Sequence, residues 1–179
     1  MRFPRAPIAV AVLALGLAGC VAMNVSSYVE RGADFTRYRM WDWGQADALP
    51  VGDPRLDNNQ MFNDYLQGAV ERAMARRGYA RADRGSTPDL RVHYHASVNQ
   101  RFQVNESVNC TPGVECRPSV VDYEQGTLVI DVTDVKTDRV VWRGWAQDSV
   151  QGIIDNQDRL EEKVDEAVRK IFEMLPDNR

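Results

Sequence analysis

The residues whose types and spacing carry chemistry lie in the middle of the 179-residue chain. In His93-Tyr94-His95 the two imidazoles fall on one face if the segment is a strand, about 6.5–7 Å apart, a spacing compatible with chelation. Zinc takes three or four ligands, and the chain has only 2 His, so a carboxylate such as Asp131 from a neighbouring strand would have to complete the set. Such a site would activate water, making a metal-dependent hydrolase of cell-wall or lipid material the competing enzymatic reading. The bland reading is a polar strand face, and it is preferred. Asp131, Asp134 and Asp138 lack the alternating oxygen ligands and glycine of a calcium loop and read as strand-edge and turn residues. Trp41 and Trp43 share a face by the period of two and are candidates for a ligand-binding aromatic surface, with core packing as the alternative. No nucleophile elbow, glycine-rich phosphate loop or free Cys–His pair is present, so hydrolase and nucleotide chemistry lack their minimal parts, and no cofactor is expected.

The N-terminus carries a different kind of signal. Arg2 and Arg5 precede an apolar run from Ile8 to Ala18, followed by Gly19 and Cys20. Eleven residues make a helix of ~16 Å, short of the ~20 residues that span a bilayer. The segment reads as a signal peptide, 1–19, removed on maturation. Leu17-Ala18-Gly19-Cys20 resembles a bacterial lipobox, with small residues at the cut and a thiol to accept diacylglycerol. That resemblance implies a chain beginning at a lipidated Cys20 and anchored to the membrane through its acyl groups. Val21 is not the aspartate that retains lipoproteins in the inner membrane, which places the anchor in the outer membrane with the domain facing the periplasm.

With Arg2 and Arg5 removed, 22 basic residues become 20 against 26 acidic ones. An acidic chain lacks the clustered positive charge that displaces counterions from phosphates, so nucleic acid is excluded as a partner. An envelope protein or a cell-wall component is the remaining class. Cys110 and Cys116 form an even pair once Cys20 carries lipid. In an oxidising periplasm, with Pro112-Gly113 suited to a turn between them, they are expected to pair as a local staple; a redox or metal role is the less favoured alternative.

The elements that must position these residues follow from periodicity. Residues 20–33 comprise the lipidated cysteine, a short tether and a first strand at Val25–Val29; 34–179 form one globular domain. Arg37–Trp43 reads as a second strand and 44–59 as loop. Phe62, Leu66, Ala69, Val70, Ala73 and Met74 make a helical stripe within 59–77, capped by Asn58 or Asn59 and closed by Gly78. Leu90, Val92, Tyr94, Ala96 and Val98 alternate with polar residues, and the phase runs through Phe102 and Val104. Strands over 126–135 and 140–150 pair through Lys136-Thr137-Asp138-Arg139, with Trp142 and Trp145 on opposite faces. The last helix, 159–175, buries Leu160, Val164, Ala167, Val168, Ile171 and Leu175, with Asp158 and Glu161 as a capping box. Asp165–Arg169 and Glu166–Lys170 are expected ion pairs on its wet face.

These elements imply an α+β domain: a mainly antiparallel sheet of about five strands with two long helices packed on one face. Several segments together resemble the domain of unknown function 4136 lipoprotein family. They are the Cys20 lipobox, Phe35…Tyr38…Trp41, Arg77-Gly78-Tyr79, Asp89-Leu90, Gly126-Thr127-Leu128-Val129-Ile130-Asp131 and Val141-Trp142-Arg143-Gly144. The resemblance implies an α+β lipoprotein domain with no established activity. The expected role is a non-catalytic one in binding or in envelope maintenance.

Overall fold

The structure, a computed structural model, describes residues 23–44, 53–57, 59–105 and 119–178. The described elements are β1 (Asn24–Val29), a 3₁₀ turn (Phe35–Arg37), β2 (Met40–Trp43), α1 (Gln60–Arg76), β3 (Ala80–Arg81), β4 (Leu90–Asn105), β5 (Ser119–Asp134), β6 (Arg139–Ser149) and α2 (Gln157–Phe172). They form one sheet in the order β1-β6-β5-β4-β2-β3. The expectation of about five mainly antiparallel strands is corrected here: there are six, and the sheet is mixed. β1, β6, β5 and β4 pair antiparallel, whereas β4–β2 and β2–β3 are parallel. α1 crosses between β2 and β3, and a crossover is what allows successive strands to run parallel.

Directly opposed residues share a sheet face, so the ladder sorts the side chains. Val92, Val132 and Trp142 stand in one row, and Ala96, Leu128 and Ala146 in another. Both rows face the two helices, whose buried stripes, Phe62 to Met74 on α1 and Leu160 to Phe172 on α2, complete a single core. The opposite face carries His93, Asp131 and Arg143 in one row and His95, Val129 and Trp145 in the next. Trp142 is buried and Trp145 is on this second face, as parity requires.

The ends of the elements obey local chemistry. Asn59 accepts the amide of Phe62 to cap α1, and Gly78, at φ +87°, closes it. At α2 the cap is Asn156, which accepts from Arg159 N, in place of the expected Asp158–Glu161 box. Of the two wet-face pairs, Glu166–Lys170 forms at 2.8 Å, but Asp165 takes Arg72 of α1 at 2.7 Å, leaving Arg169 to Glu173. Beyond α2, Leu175 is buried, Tyr79 Oη donates to Pro176 O at 2.7 Å and Arg77 pairs with Asp177. The C-terminal tail is thereby tied to the end of α1. Among the described residues no helix is long and apolar enough to cross a membrane.

Candidate functional site

His93 and Asp131 are register partners on β4 and β5, so the sequence-predicted neighbours do meet. They do not make a ligand set. Arg143, the next residue along that row, donates Nε to one Asp131 oxygen at 2.6 Å and Nη2 to the other at 2.7 Å. This bidentate geometry engages the carboxylate on both sides, and Asp131 in turn raises the pKa of Arg143. His93 packs its imidazole on Gly44, where an added Cβ would lie 1.8 Å from the ring. Among the described residues no group of three or more His, Cys, Asp or Glu side chains is placed to hold a metal. The candidate trio of His93, His95 and Asp131 therefore reads as a polar strand face with an internal ion pair. Cys20, Cys110 and Cys116 lie outside the described residues.

Trp41 and Trp43 separate into different environments. Trp41 is 1% exposed and belongs to the core, which removes it from the candidate ligand surface. Trp43 is half-buried, edge-on to Trp41 with ring centroids 5.2 Å apart and edge-on to Tyr94 at 5.9 Å. The chain of rings is a packed cluster that closes one side of the core.

Asp134 is the most deeply buried carboxylate among the described residues, 2% exposed. It accepts from Tyr38 Oη at 2.8 Å, Arg37 Nη2 at 3.0 Å, and the amides of Lys136 at 2.8 Å and Thr137 at 3.0 Å. Burial pushes its pKa up, but the four donors together outweigh burial and hold it at about 2. The group pins the 3₁₀ turn to the β5–β6 turn, where Asp138 adopts φ 53°. With every strong acceptor direction occupied, it is suited to hold structure and not to move protons.

An apolar cleft lies at the opposite end of the core. Leu66, Val98, Leu128, Leu160 and Val164 line this cleft between the sheet and both helices. About 80 Å³ of it is open to a water-sized molecule, and it opens to solvent. Small sheet residues, Ala96, Gly126 and Ala146, leave this space. Charge on the lining is already paired: Lys163 Nζ lies 2.6 Å from Asp148 Oδ2. Nearby, Arg55 bridges Asp53 and Glu124, each at 2.6 Å, and Asp155 at 3.0 Å, fixing the loop that presents Leu56 to the cleft. Asp53 first, and Glu124 with it, raise the pKa of Arg55. The lining is mostly apolar, and the two charged residues on it, Lys163 and Asp148, are paired with each other.

The profile of the Domain of unknown function (DUF4136) matches residues 25–177, nearly all of the described chain. The chain belongs to the DUF4136 family. No curated protein matches its sequence. A DUF4136 protein of Bacteroides thetaiotaomicron is similar in structure at 13% identity and a TM-score of 0.53, covering 84% of this chain and 94% of that one. PelC of Paraburkholderia phytofirmans, a dodecamer, matches at 10% identity and a TM-score of 0.52, over 88% of this chain and 100% of that one. A PDZ domain protein of Parabacteroides distasonis matches at 14% identity and a TM-score of 0.52 over 83% of this chain, which spans 35% of that protein's length. At these identities the likeness is one of fold.

Two features of this DUF4136 domain were not visible to motif reading. Asp134 looked like one of three similar turn aspartates, and only its register opposite Leu90, on the helix-covered face, marks it as buried. The cleft has no motif at all, because its lining comes from Met23, the loop at Leu56, α1, three strands, Ile154 and α2. The one available signal was the run of small residues at Ala96, Gly126 and Ala146 on otherwise bulky strand faces.

Proposed function

We propose that this DUF4136 chain is a lipoprotein anchored to the outer membrane through Cys20, whose periplasmic domain works by binding and not by catalysis. The observation that carries the reading is the continuity between the lipobox and the fold. Met23, three residues after Cys20, is already buried against the core, and β1 begins at Asn24. So short a tether holds the domain at the bilayer surface. The apolar cleft supports a binding role.

A protein partner is best placed on the arm formed by the ends of β4 and β5. Past Gln125, which pairs with Ser149 at the end of β6, the two strands continue as a ribbon to Asn105 and Ser119. Phe102 is 74% exposed there, with Val104 and Val120 beside it on the same face. Exposed apolar side chains on an unpaired ribbon favour contact with another envelope protein or a second copy. Fractionation of cells grown with labelled fatty acid tests the anchor. The native chain is expected to carry label and to pellet with outer membranes, and Cys20→Ala is expected to lose both. A Cys20→Ala chain that still fractionates with the outer membrane would overturn the reading.

A further inference from the structure

The described chain begins in the lining of the apolar cleft. Met23 is 9% exposed and lines it together with Val98, Leu160 and Val164. Cys20 stands three residues earlier, and three extended residues reach at most about 10 Å. Anything attached to Cys20 is therefore held within about that distance of the cleft lining. The cleft itself selects for shape. With about 80 Å³ open to a water-sized molecule it falls short of the ~300–1,000 Å³ of small-ligand sites and has room only for a slender group. Its exposed lining is mostly apolar, and the charged groups on or beside it are paired, Lys163 with Asp148 and Arg55 with Asp53.

We propose that this cleft is an acyl-chain slot and that its occupant is one of the fatty acyl chains on Cys20 of the same molecule. The proposal rests on the reading of Cys20 as lipidated. A covalently tethered chain is favoured over free lipid because a short flexible linker presents it at an effective concentration of about millimolar or above. One chain would be folded into the domain while the others enter the bilayer, and the domain would lie with the Met23 end of the helix–sheet interface toward the membrane.

The test uses the full chain in bacteria fed a diazirine-bearing fatty acid, irradiated before purification, with crosslinked peptides identified by mass. The expected product joins the Cys20 peptide to peptides containing Val98, Leu128 or Val164 of the same molecule. Ala96→Phe, which fills the slot from the sheet, is expected to abolish that product. Ala167→Leu fills it from α2 and serves if Ala96→Phe no longer melts cooperatively. Cleft peptides carrying only phospholipid adducts, or crosslinks joining two copies, would overturn occupancy by the molecule's own chain. Label on Cys20 with adducts confined to bilayer lipid, or a crosslink indifferent to both filling variants, would overturn the slot while sparing the anchor. A Cys20 peptide that never acquires label would overturn the lipidation reading, and the slot with it.

Discussion

The two ends of the space between sheet and helices are filled in opposite ways. At the β2 end, Trp41, Trp142 and Tyr79 are each no more than 1% exposed, with Phe172 tilted against Trp142 at 5.7 Å and Phe35 edge-on to Tyr38 at 5.7 Å. Even a backbone carbon is crowded there: a Cβ on Gly144 would lie 2.4 Å from the Trp142 ring and 2.6 Å from Ile171. At the Met23 end, the same sheet face presents Ala96, Gly126 and Ala146, and the cleft opens between them and α2. A protein interior normally closes to crystal-like density. The contrast teaches that stability is concentrated at one end of the sandwich and that the other end is left underfilled, where a ligand could replace missing side-chain contacts.

Removing bulk from the filled end is the strongest way to break this comparison. Trp142→Ala is expected to cost ~3–5 kcal/mol in urea unfolding, from lost transfer energy and the cavity left behind. Trp142→Phe should cost far less, because the indole N–H has no hydrogen-bond partner to lose. If Trp142→Ala cost under about 1 kcal/mol, the filled end would not be the stabilising one. Overfilling that end comes next. Gly144→Ala drives a methyl into a rigid ring and is expected to destabilise by ~1–3 kcal/mol, read as a lower melting temperature.

Asp134 carries a smaller, pH-dependent share. Its carboxyl is held at about 2 in the folded domain, below the ~3.9 of an unfolded chain. A depressed folded-state pKa stabilises fully above about pH 4 and loses that contribution as pH falls through about 2, worth about 2 kcal/mol in all. Asp134→Asn is accordingly expected to lower stability by about 2 kcal/mol at pH 7 and by little at pH 2. Unfolding measured across pH 2–7 checks this, and a constant gap between the two proteins would refute the charge-based account.

The legible part of the fold was the part written locally. The stripes at Phe62–Met74 and Leu160–Ile171, the Asn59 cap, Gly78 and the hairpin around Lys136 are short-range patterns, and each appears as expected. The parallel pairs of β2 were missed because partners such as Trp41 and Leu90 are joined across a helix, and β3 is only two residues long. β5 extends back to Ser119 because β4 templates it, although Ser119–Gln125 carries no clean apolar alternation of its own. On the candidate site, His93 and Asp131 were rightly placed as neighbours, but Arg143 was not seen as their competitor. A bidentate pair between strands depends on the lateral register of three strands, which no spacing along the chain encodes.

The finest test adds bulk at the underfilled end. Ala96 sits on β4 facing the cleft, half-buried, opposite Leu128. Ala96→Val places two methyls into space that no other side chain occupies, on a strand whose geometry suits a β-branched residue. Cavity filling of this kind commonly stabilises by ~0.5–2 kcal/mol, and the lower half is expected because the mouth is open to water. The comparison with Gly144→Ala is the informative one, since both variants enlarge a residue on the same sheet face between the same layers. Opposite signs in their melting temperatures would establish that packing density changes along the sandwich. A destabilising Ala96→Val would mean that the Met23 end is already closed, and the cleft would lose its claim to hold anything.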